Sequence, residues 1–112
     1  MVHCDVTMDL TPKQLQLGKF WRKYLRLTRS GVSSLRALEV IIEEESTDEF
    51  RAVIQSLHDE SEAGFLMSEA MAKFPDDFSP SVLEMIRTAE KEGHWDIVVE
   101  ELSSGLLEGT FD

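Results

Sequence analysis

Cysteine is nearly absent from this chain of 112 residues. Cys4 is its one thiol, which excludes an internal disulfide and suits a reducing compartment. Proline occurs 3 times and glycine 6 times, too rarely for a low-complexity or collagen-like sequence. No apolar run is longer than three residues, far short of the roughly 20 that a membrane-spanning helix needs. The start, Met1-Val2-His3-Cys4-Asp5, has neither the basic segment nor the apolar stretch of a signal peptide. Positive charge is also scarce. Only 11 Lys and Arg stand against 22 Asp and Glu, a formal net charge of −11. That deficit argues against nucleic acid as a partner, because phosphate binding rests on cations. What is present, 42% hydrophobic residues in a chain of single-domain length, is enough for one core. The expectation is an acidic, soluble, cytoplasmic domain.

Apolar residues recur at steps of three and four, and no segment keeps a period of two, which predicts an all-α fold. Thr11-Pro12-Lys13-Gln14 has the order of an N-cap, a helix-opening proline and a capping-box partner, with Leu10 and Leu15 placed as a hydrophobic staple. Leu17, Phe20, Trp21, Tyr24 and Leu27 form one face of this first helix, and Gly31 ends it. Ser33 or Ser34 opens a second helix carrying Leu35, Leu38, Ile41 and Ile42. Ser46-Thr47-Asp48-Glu49 reads as a capping box for a third, with Phe50, Val53, Ile54 and Leu57 inward and Gly64 as its stop. A short fourth helix holds Leu66, Met67, Ala70, Met71 and Phe74, with no N-cap evident.

Phe78-Ser79-Pro80 repeats the opening device for a fifth helix, which carries Val82, Leu83, Met85, Ile86 and Ala89 and closes at Gly93. A sixth begins near Trp95-Asp96, with Ile97, Val98, Val99, Leu102 and Leu106, and the chain from Ser103 onward reads as a fraying end. Short turns predict a compact antiparallel bundle of about six short helices. Residues 1–10 are expected to be a flexible N-terminus, 11–106 the bundle and 107–112 a tail. Gly31, Gly64 and Gly93 suggest three successive helical hairpins, although their flanking residues do not match as a repeat would.

Charge is divided along the chain. Residues 1–36 carry seven cations and two acids, whereas residues 37–112 carry four cations and twenty acids. Lys19, Arg22, Lys23 and Arg26 fall at i, i+3, i+4 and i+7, a stripe opposite Phe20, Tyr24 and Leu27. Two readings stand side by side: a solvated helix face, or a docking surface for an acidic partner or anionic head groups. Catalytic patterns are missing. His3, His58 and His94 are scattered, no glycine cluster could cradle a phosphate, and the serines sit at helix ends. His58 and Glu62 offer two metal ligands at i, i+4 without a third, and the acids around 43–45 and 90–96 read as solvated charge. No catalytic residue, cofactor or metal ligand is therefore assigned.

The order of several signals resembles the cytoplasmic domain of the type II secretion system F protein, shared with the type IV pilus inner-membrane platform. Trp21, Leu25, Thr28, Gly31-Val32, Leu35, Ala37-Leu38 and Val40-Ile41 follow that family's opening pattern. Gly64, Met67, Ala70, Met71, Phe74-Pro75 and Phe78 follow its middle. Met85, Ile86, Glu90 and Gly93 coincide with its M-I-x-x-G-E-x-S-G motif, where Ala89 replaces the first Gly, Glu92 the Ser and Trp95 a following Leu. The likeness runs over about residues 17–106 and implies a six-helix bundle that acts by binding proteins, not by catalysis. It implies an assembly ATPase or inner-membrane assembly components as partners, with self-association as a homodimer, at the inner face of the bacterial inner membrane. Full members carry two such domains and membrane helices, so this chain reads as one excised domain or a stand-alone relative. The alternative is a stand-alone cytosolic adaptor or regulator built on the same bundle. The residues marked for partner binding are Lys19, Arg22, Lys23 and Arg26, with Glu90, Glu92 and Trp95 at the turn.

Overall fold

The computed structural model describes residues 12–108. The expected flexible N-terminus, the Thr11 cap, the Leu10 half of the staple and the last four residues of the tail lie outside them. Six helices follow one another: α1 Pro12–Arg29, α2 Ser34–Glu44, α3 Asp48–Glu62, α4 Met67–Met71, α5 Pro80–Glu92 and α6 Trp95–Glu108. There is no strand among the described residues. The fold is all-α, a compact antiparallel bundle.

Local chemistry sets most of the boundaries. Gly31 and Gly64 take positive φ, 101° and 100°, and both close a helix with the same pair of bonds. The Val32 N–H donates to the Leu27 carbonyl and the Gly31 N–H to that of Thr28; Phe65 and Gly64 do the same to Glu60 and Ser61. Ser33 caps α2 by accepting the Arg36 N–H, and Ser79 caps α5 by accepting that of Val82 behind Pro80. The capping box expected at Ser46 is not formed. The N-cap of α3 is Thr47, which makes no side-chain cap bond, and its own N–H donates to the Glu45 carboxylate at 3.0 Å. Glu45 and Thr47 are extended rather than helical, and α3 starts one residue later than expected.

Two further expectations change on packing grounds. Sequential hairpins are only part of the architecture, because the most extensive helix pairing joins the first helix to the last. Arg29 at the end of α1 reaches Glu100 near the start of α6, while Gly18 lies against Leu106 and Leu107, so the two run antiparallel. For the same reason residues 103–108 do not fray: Ser103 and Leu106 are buried and α6 continues to Glu108.

α1 is the hub of the core. Phe20 meets Phe50 of α3 edge-on, Trp21 meets Phe78, and Tyr24 meets Trp95 of α6. Leu38, Ile54, Leu57, Met71, Ile86, Val99, Leu102 and Leu106 fill the space around these rings. The Trp21 Nε1–H is buried with no acceptor among the described residues. None of the described helices is long and apolar enough to cross a membrane.

Candidate docking surface

Because Phe20, Trp21 and Tyr24 fix α1 from inside, its opposite side is held rigidly toward solvent, and there Lys19, Arg22 and Arg26 are exposed. Elsewhere the acid excess has found most of the cations. Lys13 pairs with Asp77, Lys23 with Glu44, Arg29 with Glu100 and Asp96, Arg36 with Glu39 and Glu43, Arg51 with Asp48, Lys73 with Glu60 and Arg87 with Glu84. Lys19, Arg22 and Arg26 have no such partner among the described residues, and Lys91 on α5 is the other cation in that condition.

The sequence shows one stripe; in space it parts over two grooves. Lys19 and Lys23 line a groove of about 360 Å³ beside α2, floored by Phe20 and Ile41, where Lys23 is tied to Glu44 at 2.6 Å. Arg22 and Arg26 line a second groove of about 510 Å³ between α1 and α6. Arg29 continues that row one turn further, a residue the sequence reading left out although its i, i+3 spacing from Arg26 was visible.

The marked turn residues separate in the same way. Glu92 is exposed. Glu90 is engaged inside the fold: its carboxylate accepts the Ser68 N–H at 2.9 Å and the Ser68 hydroxyl at 2.7 Å, holding the start of α4. Trp95 is half-buried against Tyr24, with ring centroids 6.3 Å apart. Burial pushes the Tyr24 hydroxyl above its usual pKa, and contacts from Ser34 and Trp95 pull it partly back. The structure therefore packs Trp95 against Tyr24 of α1 but turns Glu90 toward α4.

His58 is also drawn into a cluster. Its Nδ1 lies 3.0 Å from Asp59 and its Nε2 3.0 Å from Glu39 of α2, with Glu62 close by. Both nitrogens thus face carboxylates, and Asp59 joins the His58–Glu62 pair as the third potential ligand that their spacing alone did not offer. Among features that periodicity does not reveal, Phe65 and Leu66 stand about half exposed at the turn between α3 and α4.

Comparison with known proteins agrees with this architecture. The family model described as type II secretion system (T2SS), protein F matches residues 20–108. The Type IV pilus assembly protein PilC of Thermus thermophilus is similar, 26% identical over 99 residues. That match covers 88% of this chain but 24% of the relative, so the chain spans about a quarter of that protein's length. A bundle of this build, matched from the hub helix to the end of α6, belongs to the type II secretion system protein F family.

Proposed function

We propose that the chain is a non-catalytic docking module of secretion or pilus assembly machinery, which binds protein partners through the outer face of α1. The observation that supports this most is the row of cations without partners. With twice as many acids as bases on the chain, three neighbouring cations held free on one helix offer their charge to a guest. Lys19, Arg22, Lys23 and Arg26 would make the charged contacts, with exposed Glu92 and half-buried Trp95 as further contacts outside the two grooves. Trp95 would add an aromatic anchor of the kind that dominates protein interfaces. Glu90 would act through the turn it braces. The partner we assign is the assembly ATPase or an inner-membrane assembly component, met at the cytoplasmic face of the inner membrane, and a homodimer is the competing arrangement.

A pull-down with the cognate assembly ATPase tests the reading. Changing Lys19, Arg22 and Lys23 together to Glu should abolish capture while the circular-dichroism melt stays intact. Undiminished capture by the triple variant would overturn the assignment of this face. Light scattering on the purified chain separates the homodimer.

A further inference from the structure

Arg22, Arg26 and Arg29 stand at i, i+4 and i+7 on α1 and line one wall of the groove between α1 and α6. The helical rise spreads them over about 10 Å. The facing wall is α6, with Glu100, Ser103 and Ser104. The three arginines are not in the same state. Arg22 and Arg26 have no ion-pair partner among the described residues, whereas Arg29 is held by Glu100 at 2.9 Å and Asp96 at 3.8 Å.

From this arrangement we infer that the groove is a seat for an acidic helix of a partner protein, whose carboxylates repeat at i, i+4 and i+7, and that Glu100 is a resident carboxylate which the guest displaces from Arg29. The inference rests on the docking reading above and adds the chemistry of the guest. A helix with acids at that spacing presents them along the same 10 Å or so, one to each guanidinium, and guanidinium forks suit carboxylates. A phosphate is the poorer occupant, since it needs donors converging on one point and these are strung out along a helix. A flat anionic bilayer is poorer too, because Asp96 and Glu100 flank the row and would be pressed against like charge. A single helix, about 10 Å wide, can follow the row and engage the arginines.

The resident pair also sets the strength. Exposed ion pairs contribute little each, so the seat is a moderate, salt-sensitive one, and breaking the Arg29–Glu100 contact is part of every docking event. Removing the resident charge should therefore help the guest.

The test uses the full chain and a fluorescein-labelled, alanine-rich helical peptide carrying Glu at i, i+4 and i+7, read by fluorescence anisotropy. A peptide of equal composition with its glutamates dispersed around the helix serves as reference. The patterned peptide should bind more tightly than the reference, and Arg22→Glu should weaken it about tenfold. Lys91→Glu changes the net charge equally but lies on α5, and it should leave binding within about twofold. Glu100→Gln should tighten binding a few fold, with an unchanged melt in each variant. Equal binding of the two peptides, equal loss in Lys91→Glu, or weaker binding in Glu100→Gln would each overturn the inference. So would sedimentation with phosphatidylglycerol vesicles that Arg22→Glu abolishes while the peptide fails to bind. ATPase capture is scored separately. Capture without peptide binding sinks the acidic-helix seat and leaves the docking reading standing; peptide binding without capture does the reverse.

Discussion

At the residue scale the two positions with the sharpest consequences are His58 and Gly18. His58 is 8% exposed and lies between the carboxylates of Glu39 and Asp59. A neutral ring has one N–H and can satisfy only one of them; the protonated ring satisfies both. The hydrogen bond to Asp59 raises the His58 pKa most; burial opposes this, and the bond to Glu39 and the charges of Glu39 and Glu62 raise it further. Glu39 is lowered by His58 first and Arg36 second, Asp59 by His58 first and Gln55 second. The clamp thus adds its full stability between the ordinary carboxylate range near pH 4 and the ordinary imidazole value near 6.5. It weakens as pH falls through the lowered carboxyl values, and again as pH rises through the raised imidazole value. His58→Gln should lower Tm at pH 6, and the gap to the unmodified chain should shrink steadily toward pH 9. A gap that stays constant across that range would show that the ring's charge contributes nothing.

Gly18 sits in mid-helix, where glycine costs helix stability relative to alanine. Its value is proximity. A Cβ there would lie 2.7 Å from Leu107 Cγ and 3.3 Å from Leu106 Cβ. Gly18→Ala gains about 1 kcal/mol of helix propensity but must move Leu107 at its Cγ and crowds the buried Leu106 Cβ, so it should be destabilising by about 1 kcal/mol net. Gly18→Val must push α6 away and should cost about 2 kcal/mol by denaturant melt. Nothing in the period of the apolar residues distinguishes this glycine, because the neighbour that needs its small size comes from the far end of the chain.

At the scale of elements, legibility follows the sequence distance of the capping partner. Ser33, Ser79-Pro80 and the glycine ends of α1, α3 and α5 are local devices, and the boundaries they set match the sequence reading. α4 keeps only half of such a device at its start, Glu69, because Leu66 has no side-chain acceptor to return the bond. Leu66 is its N-cap, whose N–H is taken by Glu69 at 2.8 Å, and the Ser68 N–H is taken by Glu90, 22 residues away on α5. A cap supplied from another helix leaves no trace beside the helix it caps. Glu90→Ala removes both bonds to Ser68, and the cost should be about 1–2 kcal/mol. Hydrogen exchange over 67–71 should accelerate ahead of exchange in α1. Unchanged protection of α4 would mean that Glu90 is dispensable there. The same principle explains α6. Ser103-Ser104-Gly105 looks like a helix ending, yet Ser103 bonds the Glu100 carbonyl of its own helix and Gly105 is buried. The basic stripe was legible as a stripe for the converse reason, since its residues are helical neighbours; its division between two grooves depends on α2 and α6, which periodicity does not place.

At the scale of the molecule, the pairing of α1 with α6 closes the chain on itself, and the docking face depends on that closure. The aromatic face of α1 is covered from several sides, but α6 lies along its length and forms the second wall of the arginine groove. Closure of this kind must overcome the entropy of bringing together segments some 70 residues apart, which favours a single cooperative transition over stepwise assembly of hairpins. Two residues on the same helix separate this from mere helix formation. Leu106 is 1% exposed in the core and Ile97 is 55% exposed. Leu106→Ala should therefore cost about 3 kcal/mol, and Ile97→Ala less than about 0.5 kcal/mol. Both should melt in one step that coincides by far-ultraviolet circular dichroism and tryptophan fluorescence, since Trp21 and Trp95 report the packing that α6 completes. If Leu106→Ala released the fluorescence signal well before the helical signal, α6 would be a detachable flap, and the wall facing the arginines would not be a fixed part of the fold.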